Sequence, residues 1–421
     1  MISFFAGQIY EFILIFYNFA LLIQLTDFML NIILVDNHDV HTQLLPLTFT
    51  RPVSALITGV DSIADKWQRA LKGCYSVHTV EYLSELFPTH IDPADNLFIH
   101  SHILPSAQMA AAVATLKPGE VLRAKADGSV IAWRGVSLTP GDENGVDFDG
   151  ELTTVTRPYD LCLLGGAALE ADFKQLSAEM NLREASSTNT IIGSAERLAI
   201  ARTARVEGAF LNTSAGPIII DEGAEVMEGS CLRGPIYIGR HATVNMGARI
   251  YGATSIGEHC KVGGEINNAV IFPYSNKAHD GFLGNAVVGS WCNLGAGCVA
   301  SNLKNDYTEI KLWDYASHHF RRTGLQFCGL IMGDHSKAGI NTMFNTATMV
   351  GVGVNIHGTG FPRNFVPSFS EGSAGVGFSE VGLKKFFAIA ERVMARRNIE
   401  LTEPMRRLFE HIVDYSQQFK N

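Results

Sequence analysis

The first fifty residues of this 421-residue chain contain no lysine or arginine, and the first of either is Arg51. Residues 1–28, MISFFAGQIYEFILIFYNFALLIQLTDF, are apolar and carry two acidic residues. A secretory signal requires a positive amino end and a small-residue cleavage site, which this stretch lacks. We therefore interpret residues 1–28 as an apolar leader with three open explanations. It is upstream sequence before a true start at Met29, a membrane anchor, or an ordinary N-terminal helix.

Charged residues are also scarce, at 18% of the chain, and the formal net charge is −9. This balance excludes general affinity for nucleic acid. The seven cysteines are odd in number and scattered, and they form no CxxC pair. Such a set predicts reduced thiols in the cytoplasm rather than a disulfide framework or a zinc site. The hydrophobic content of 47% predicts sizeable cores, and the length predicts two or three domains.

Glycine is abundant, with 40 residues that concentrate in the second half, and there an internal repeat begins. Eight aliphatic residues follow one another at intervals of six: Ile220, Val226, Leu232, Ile238, Val244, Ile250, Ile256 and Val262. A period of six fits neither a helix nor a simple strand. It predicts a parallel β-helix built from hexapeptides, in which each coil has three flat faces and buries its aliphatic residues against the next coil.

The register of this repeat slips after Val262 and resumes at Val288. It is interrupted again by residues 303–330, an aromatic and charged stretch, and it continues from Met332 to Ile356. A long insertion in a regular solenoid predicts an excursion from one corner. Such an excursion either carries function or is a tolerated surface insertion.

The remaining segments predict the domain organisation. Strands at 31–36, 75–80, 96–101 and 129–134 alternate with helices at 61–71 and 157–180, which predicts a doubly wound α/β sheet. Amphipathic helical patterns fill 379–419. The predicted domains are an α/β domain at 29–190, a β-helix at 191–372 with its excursion at 303–330, and a helical tail at 373–421.

One stretch within the repeat carries a recognisable motif. Residues 275–302 read SNKAHDGFLGNAVVGSWCNLGAGCVASN. They resemble the acetyltransferase domain of the bifunctional UDP-N-acetylglucosamine pyrophosphorylase/glucosamine-1-phosphate N-acetyltransferase family. LLPLTFTRP and GDHSKAGINTMFNT resemble a divergent branch of that family from Bacteroides-like bacteria. The resemblance implies a left-handed β-helix assembled as a homotrimer, with acetyl-CoA as the co-substrate and active sites between neighbouring subunits.

The same resemblance assigns roles to individual residues. His279 corresponds to the catalytic base, and Ala296 with Gly297 lies where the main chain meets the pantetheine of the cofactor. The residues implied to bind substrate are Lys277, Phe282, Asn293 and Asn302. The arginine that binds the sugar phosphate in the family has no clear match, because Tyr251 stands near its place and Arg249 precedes it by two residues.

These residue types also suit acetyl transfer on chemical grounds. An amine must lose a proton to attack a thioester, and histidine is the side chain whose ordinary pKa suits a base at neutral pH. Main-chain N–H groups at Gly-Ala-Gly turns are suitable donors to the oxyanion of the intermediate. The structural alternatives are a surface histidine at position 279 and turn-capping asparagines at 293 and 302.

The α/β half departs from the family. After the strand NIILVD there is no glycine until Gly59, so the Gly-rich loop that wraps nucleotide phosphates in the family is missing. The family's Mg²⁺-binding aspartate has no clear counterpart either, and the metal ligands stay unknown. Arg51 is predicted to bind phosphate, with a core-edge arginine beside a turn proline as the alternative.

We therefore predict an enzyme of amino-sugar nucleotide synthesis in the cytoplasm. It would transfer an acetyl group from acetyl-CoA to glucosamine-1-phosphate at the β-helix, and a uridylyl group from a nucleoside triphosphate with Mg²⁺ at the α/β domain. The alternatives are a hexose-1-phosphate nucleotidyltransferase whose β-helix only trimerises, and a non-catalytic scaffold that binds sugar nucleotides.

Overall fold

The computed structural model describes residues 30–141 and 144–420, so the predicted leader at 1–28 lies outside the described residues. The predicted fold class is confirmed: an α/β domain is followed by a left-handed parallel β-helix and by helices at the carboxyl end. Within the described residues, no helix combines the length and the apolar composition that crossing a bilayer requires.

The described residues of the α/β domain form eight strands and four α-helices, numbered here in chain order. The strands are β1 (Asn31–Val35), β2 (Ile57–Thr58), β3 (Asp61–Ser62), β4 (Cys74–His78), β5 (Asn96–His100), β6 (Val121–Ala124), β7 (Val130–Gly135) and β8 (Gly145–Phe148). The helices are α1 (His38–Gln43), α2 (Ile63–Leu71), α3 (Ala107–Ala114) and α4 (Asp160–Glu179).

Six of these strands form one sheet in the order β4-β1-β5-β7-β6-β8. Strand β1 is parallel to β4 and β5, whereas β7 is antiparallel to both β5 and β6. The sheet is therefore mixed and not doubly wound as predicted. Strand β1 reads as a continuous apolar run because both of its faces are buried: Ile32 packs in the larger core, and Ile33 packs with Phe98 and Trp133 on the opposite face.

The β-helix winds through three sheets, which we call sheets 1, 2 and 3 in the order in which each coil visits them. Sheet 1 contains β9 (Leu182–Arg183), β11 (Leu198–Ala201), β14 (Ile218–Ile220), β17 (Ile236–Ile238), β20 (Thr254–Ile256), β23 (Val270–Ile271), β26 (Val287–Val288), β31 (Ile331–Met332), β34 (Met349–Val350) and β36 (Phe365–Val366).

Sheet 2 contains β12 (Arg205–Val206), β15 (Glu225–Val226), β18 (Thr243–Val244), β21 (Lys261–Val262), β24 (Asn276–Lys277), β27 (Asn293–Leu294), β32 (Lys337–Ala338), β35 (Asn355–Ile356), β37 (Ser370–Ser373) and β38 (Gly377–Glu380). Sheet 3 contains β10 (Thr190–Ile192), β13 (Phe210–Asn212), β16 (Cys231–Arg233), β19 (Arg249–Tyr251), β22 (Glu265–Asn267), β25 (Phe282–Gly284), β28 (Val299–Ala300) and β33 (Met343–Phe344).

The aliphatic residues of the repeat fill the interior of this prism. All eight residues from Ile220 to Val262 at intervals of six are at most 1% exposed. They belong to one hydrophobic core that runs along the axis of the β-helix. The period of six therefore arises because each face contributes one inward aliphatic residue per coil.

The slip in register after Val262 corresponds to one short coil. The paired residues Ile220, Ile238 and Ile256 are 18 residues apart, whereas Ile256 pairs with Ile271, only 15 residues further on. Two of the three missing residues fall at the corner between β21 and β22, which consists of residues 263–264 alone. The corresponding corner one coil earlier, between β18 and β19, has four residues, 245–248.

The excursion and the tail pack the two domains together. The excursion forms a hairpin of β29 (Lys311–Asp314) and β30 (His319–Arg322), and Tyr315 packs edge-on against Phe49 at 5.6 Å between ring centroids. The tail helices are α5 (Leu383–Ala395) and α6 (Glu403–Ser416). In α6, Phe409 contacts His335 of the β-helix and His411 stacks on Tyr82 of the α/β domain.

Candidate active site

The strongest candidate site lies at the corner that joins β24 to β25, residues 278–281, which we call the histidine corner. His279 and Asp280 are exposed there. We describe the preceding coil as lying below and the following coil as lying above. The corner directly below is the two-residue turn 263–264, which we call the glycine corner. Both of its glycines are buried. A Cβ atom on Gly264 would lie 2.8 Å from the His279 carbonyl oxygen, so the histidine corner rests directly on the main chain of the glycine corner.

Three hydrogen bonds hold the main chain of residues 278–280 in the histidine corner. The Asn245 side-chain amide passes the glycine corner and donates to the Ala278 carbonyl oxygen at 2.8 Å. From above, the Gly297 N–H donates to the Asp280 carbonyl oxygen at 3.1 Å. From inside, the Lys277 ammonium donates to the His279 carbonyl oxygen at 2.7 Å. The imidazole thus projects into solvent from a main chain that is fixed on three sides.

Charged and hydroxyl groups of sheet 3 lie beside this corner. The Arg249 guanidinium is 3.8 Å from the Asp280 carboxylate, and both side chains are more than half exposed, so the pair contributes little to stability. The Tyr251 hydroxyl donates to the Glu265 carboxylate at 2.6 Å. This hydrogen bond raises the pKa of Tyr251. The carboxylates of Asp280 and Glu265 and the Arg249 guanidinium therefore lie in or beside the histidine corner.

Four of the residues predicted for the site come together on adjacent coils. Phe282 begins β25, directly after the histidine corner, and is half-buried. Ala296 and Gly297 occupy the next corner above, where Ala296 is exposed and Gly297 has a φ of +71°. The side chain at 296 is small and the main chain around it is accessible. This corner is therefore suited to the close approach of an extended ligand.

The two predicted asparagines lie apart from one another. Asn293 is exposed on sheet 2, one coil above Asn276 with which it pairs. Asn302 lies just after β28, at the carboxyl end of the strands of sheet 3, where the excursion begins. Its side-chain amide donates to the Asn285 side-chain oxygen at 2.7 Å. His279 precedes the start of β25, whereas Asn302 follows the end of β28. Within one protomer, the two residues therefore lie at opposite ends of the strands of sheet 3.

Lys277 points into the β-helix and not toward the surface. It is 2% exposed, and its ammonium donates to the carbonyl oxygens of Gly263 and His279 at 3.0 and 2.7 Å. This burial lowers the pKa of Lys277 to about 8. The placement does not support the predicted contact between Lys277 and a substrate, because both the ammonium and the stem of the side chain are enclosed.

The second candidate region is the carboxyl edge of the α/β sheet, where open α/β sheets ordinarily bind ligands. Asp36 follows β1 there, and its buried carboxylate accepts hydrogen bonds from the hydroxyls of Thr79 and Ser101 and from the Val53 N–H. His41 contacts the same carboxylate through Nδ1 at 3.2 Å. The segment between Asp36 and Val53 thereby closes over this edge, and its apolar residues Leu44, Leu45, Leu47 and Phe49 are at most 1% exposed.

Two histidines at the same edge carry buried nitrogen atoms without a hydrogen-bond partner in the described part of the chain. These atoms are the Nδ1 atoms of His100 and His102, whose ring centroids are 5.7 Å apart. Burial lowers the pKa of His102 to about 4, so that its ring is neutral at pH 7.

Neither this edge nor another part of the described structure suits a metal ion held by protein ligands. Among residues 30–141 and 144–420, no three His, Cys, Asp or Glu side chains converge to hold one. The Asp36 carboxylate, which occupies the edge, is already engaged by protein donors. The described residues of the α/β domain therefore do not fit a Mg²⁺ ion bound by the protein alone.

Arg51 lies at the interface between the α/β domain and the β-helix. Its guanidinium forms an ion pair with the Asp334 carboxylate, donates to the Ser290 hydroxyl at 3.3 Å and lies 4.6 Å above the Phe272 ring. Arg51 is 9% exposed. This position matches the structural alternative, a core-edge arginine. It does not support the predicted binding of phosphate, which would require the guanidinium to leave Asp334.

Sequence reasoning missed Asn245, the glycine corner, Asp36 and Asp334. The slip after Val262 was the available signal for the glycine corner, since a loss of register marks a corner of unusual length. Nothing local distinguishes the others, because each acts through a partner that is distant in sequence or on another coil.

Comparison with known proteins relates this chain to transferases. Residues 32–181 match the family model described as "Sugar nucleotidyl transferase", which relates the α/β domain to that family. Over 99 residues, 23% of this chain, the sequence is 32% identical to the "Bifunctional protein GlmU" of Synechococcus sp. (strain JA-3-3Ab). The matched stretch spans 13% of the length of that relative.

Two solved structures show a more distant likeness. UDP-N-acetylglucosamine acyltransferase from Francisella novicida is 15% identical and matches over 56% of this chain and 78% of its own, with a TM-score of 0.21. A mutant of AntD, an N-acyltransferase from Bacillus cereus solved with dTDP and coenzyme A, is 10% identical. It matches over 53% of this chain and 96% of its own, with a TM-score of 0.19.

A substitution in the glycine corner tests how closely the histidine corner rests on it. Gly264→Ala places a methyl group 2.8 Å from main-chain atoms of His279 and Asp280. Gly247→Ala is the matched control, because Gly247 has a similar φ of +69° and no atom within 4 Å of its added Cβ. We expect Gly264→Ala to lower the free energy of unfolding by roughly 1–3 kcal/mol more than Gly247→Ala. Urea denaturation of both variants measures this difference, and equal losses would show that the contact is not tight.

Proposed function

We propose that this protein is an acyltransferase of amino-sugar nucleotide synthesis, which transfers an acetyl group from acetyl-CoA to the amine of glucosamine-1-phosphate. We further propose that it belongs to the bifunctional pyrophosphorylase/acetyltransferase family, in the Bacteroides-type branch, and that it acts in the cytoplasm. The family match over residues 32–181 and the partial identity to a bifunctional GlmU support a transferase of nucleotide-sugar metabolism.

The observation that supports the proposal most directly is the geometry of the histidine corner. His279 is exposed on a main chain that is held by Asn245, Lys277 and Gly297. A general base must be held at one position relative to its substrate while remaining accessible to it. A surface histidine without function would not require a shortened coil and an interior lysine beneath it.

The reaction follows from the groups at this corner. The neutral acceptor amine attacks the thioester carbonyl carbon, and His279 accepts the proton that the nitrogen loses as the C–N bond forms. The C–S bond breaks as the C–N bond forms. The thiolate takes the proton from His279 and leaves as the free thiol. We place the pantetheine arm along the corner of Ala296 and Gly297, where the main chain is accessible. Asp280 and Glu265 would attract the acceptor in its ammonium form, which loses its first proton to water before the attack.

We also propose a homotrimer in which neighbouring copies complete the site. Phe210, Val299 and Met343 lie in one outward column of sheet 3 and are 46%, 37% and 36% exposed. Arg249 and Glu265 separate Phe210 from the other two residues in this column. The adjacent apolar side chains of Val299 and Met343, on the face between His279 and Asn302, therefore support an interface between copies. It would bring the Asn302 of one copy toward the His279 of another, which one protomer alone does not achieve.

Nucleotidyl transfer at the α/β domain is the second proposed activity, and the family match over residues 32–181 favours it. The substrates would be a nucleoside triphosphate, brought in as its Mg²⁺ complex, and a sugar-1-phosphate. We expect this activity to be weak, because the carboxyl edge of the sheet is closed by the chain between Asp36 and Val53. The domain also lacks a Gly-rich loop to bind phosphates.

One pair of assays tests both activities. In the first, purified protein is incubated with acetyl-CoA and glucosamine-1-phosphate, and free thiol and acetylated sugar are measured. In the second, it is incubated with UTP or dTTP, Mg²⁺ and hexose-1-phosphates, and pyrophosphate is measured. Thiol release that depends on the sugar would support acetyl transfer. Pyrophosphate release without any thiol release would leave the nucleotidyl transferase alternative, and activity in neither assay would leave the scaffold.

A further inference from the structure

Lys277 occupies a position that the pattern of the β-helix reserves for an aliphatic side chain. In sheet 2, Val244 pairs with Val262, and Val262 pairs with Lys277. Leu294 continues the same inward column one coil above. A buried ammonium is costly unless hydrogen bonds replace its lost hydration. A lysine in this column therefore needs a local reason, and the surrounding contacts supply one.

The glycine corner provides both the room and the first partner. The neighbouring corners of four residues place a small side chain inward just before sheet 3, as Ala248 and Cys298 do. The glycine corner has no residue at that place, and the Lys277 ammonium donates to the Gly263 carbonyl oxygen at 3.0 Å. Its second hydrogen bond, 2.7 Å long, goes to the carbonyl oxygen of His279. One interior cation thus connects the main chains of two successive corners.

We infer that Lys277 is a positioning residue for His279: its enclosed ammonium ties the His279 carbonyl oxygen to the Gly263 carbonyl oxygen of the coil below and so sets the position of the imidazole. The expected effect of Lys277 on catalysis rests on the proposed function. Its effect on the position of the His279 main chain rests only on the contacts described above. Lys277 acts through the main chain of His279 and does not itself meet a substrate.

The chain contains a matched control in Lys337. Its ammonium also donates to two main-chain carbonyl oxygens, those of Trp291 and His335, and burial lowers its pKa to about 8 as well. It lies on sheet 2 under the tail helix α5 and contacts neither the histidine corner nor the glycine corner. Lys337 is half-buried in an outward column, where it pairs with Asn293. Lys277→Met and Lys337→Met therefore each remove an ammonium that donates to two main-chain carbonyl oxygens.

The experiment compares both variants with the unaltered protein in acetyl transfer and in hydrogen–deuterium exchange. We expect Lys277→Met to lower kcat by about 10- to 100-fold with little change in KM, because a displaced base affects the chemical step. Amide exchange in residues 278–281 should become faster. Lys337→Met should leave kcat and this exchange near their original values, even where its loss of thermal stability is equal or larger.

If Lys277→Met does not fold, Lys277→Gln keeps an amide nitrogen with two N–H donors but removes the charge, and a smaller fall in kcat with the same KM is then expected. Unchanged kcat together with unchanged exchange in residues 278–281 would overturn the inference, as would equal effects of the Lys277 and Lys337 variants. If the unaltered protein transfers no acetyl group, the proposed function fails. The exchange comparison would then decide the positioning role by itself.

Discussion

Replacing His279 by alanine is expected to lower kcat for acetyl transfer at least about 10²-fold while the protein remains folded. The imidazole is exposed, and the hydrogen bonds that hold the corner all involve main-chain atoms of residues 278–281. The substitution therefore removes the base and leaves its support in place. Initial rates of thiol release at saturating acetyl-CoA measure the effect.

His241→Ala is the control for this prediction. His241 is another exposed corner histidine of the β-helix, and it stacks on His259 with ring centroids 4.9 Å apart, at the corner between sheets 1 and 2. We expect its replacement to leave kcat within about threefold, since a position far from the reacting groups makes no contact in the transition state. Full acetyl transfer by the His279→Ala protein would show that His279 is not the base.

Replacing Arg51 by methionine is expected to destabilise the protein by about 3–5 kcal/mol, the usual consequence of leaving one partner of a buried ion pair without compensation. The Asp334 carboxylate would keep only the Thr50 hydroxyl at 2.8 Å and the Ser290 N–H at 2.9 Å as donors. The double variant Arg51→Met, Asp334→Leu should recover much of this loss, because no unpaired charge stays buried. Denaturant unfolding of the single and double variants measures the coupling.

An exposed pair supplies the comparison. Lys125 and Asp149 form an ion pair whose side chains are 57% and 76% exposed, and Lys125→Met should change stability by about 0–1 kcal/mol.

Calorimetric titration with UTP and Mg²⁺ separates the two explanations of Arg51. If Arg51 binds phosphate, its replacement should abolish nucleotide binding while Asp334→Asn should not. If it is an interface residue, both variants should change stability and neither should specifically abolish binding.

Local pattern was sufficient for most of the architecture. The interval of six from Ile220 to Val262 predicted the β-helix because the inward residues of every coil meet only their equivalents in adjacent coils. The helices α4 and α6 were also predicted near their observed positions. Helix α4 was predicted from a run of good helix formers after Pro158, and α6 from apolar spacing that reflects a face buried along one continuous segment. The doubly wound sheet was wrong because strand direction does not appear in the pattern of a single strand.

The sequence by itself therefore determined the coil, its interior and the position of His279 at a corner. Only the tertiary structure decided that Lys277 turns inward, that the glycine corner supports the histidine corner, and that Arg51 meets Asp334. These outcomes depend on which groups the stacking of coils and the docking of domains bring together. Arg51 and Asp334 are 283 residues apart, and no periodicity relates them. The direction of Lys277 depends on the space left by two residues missing from the coil below, which becomes visible only when the coils are stacked.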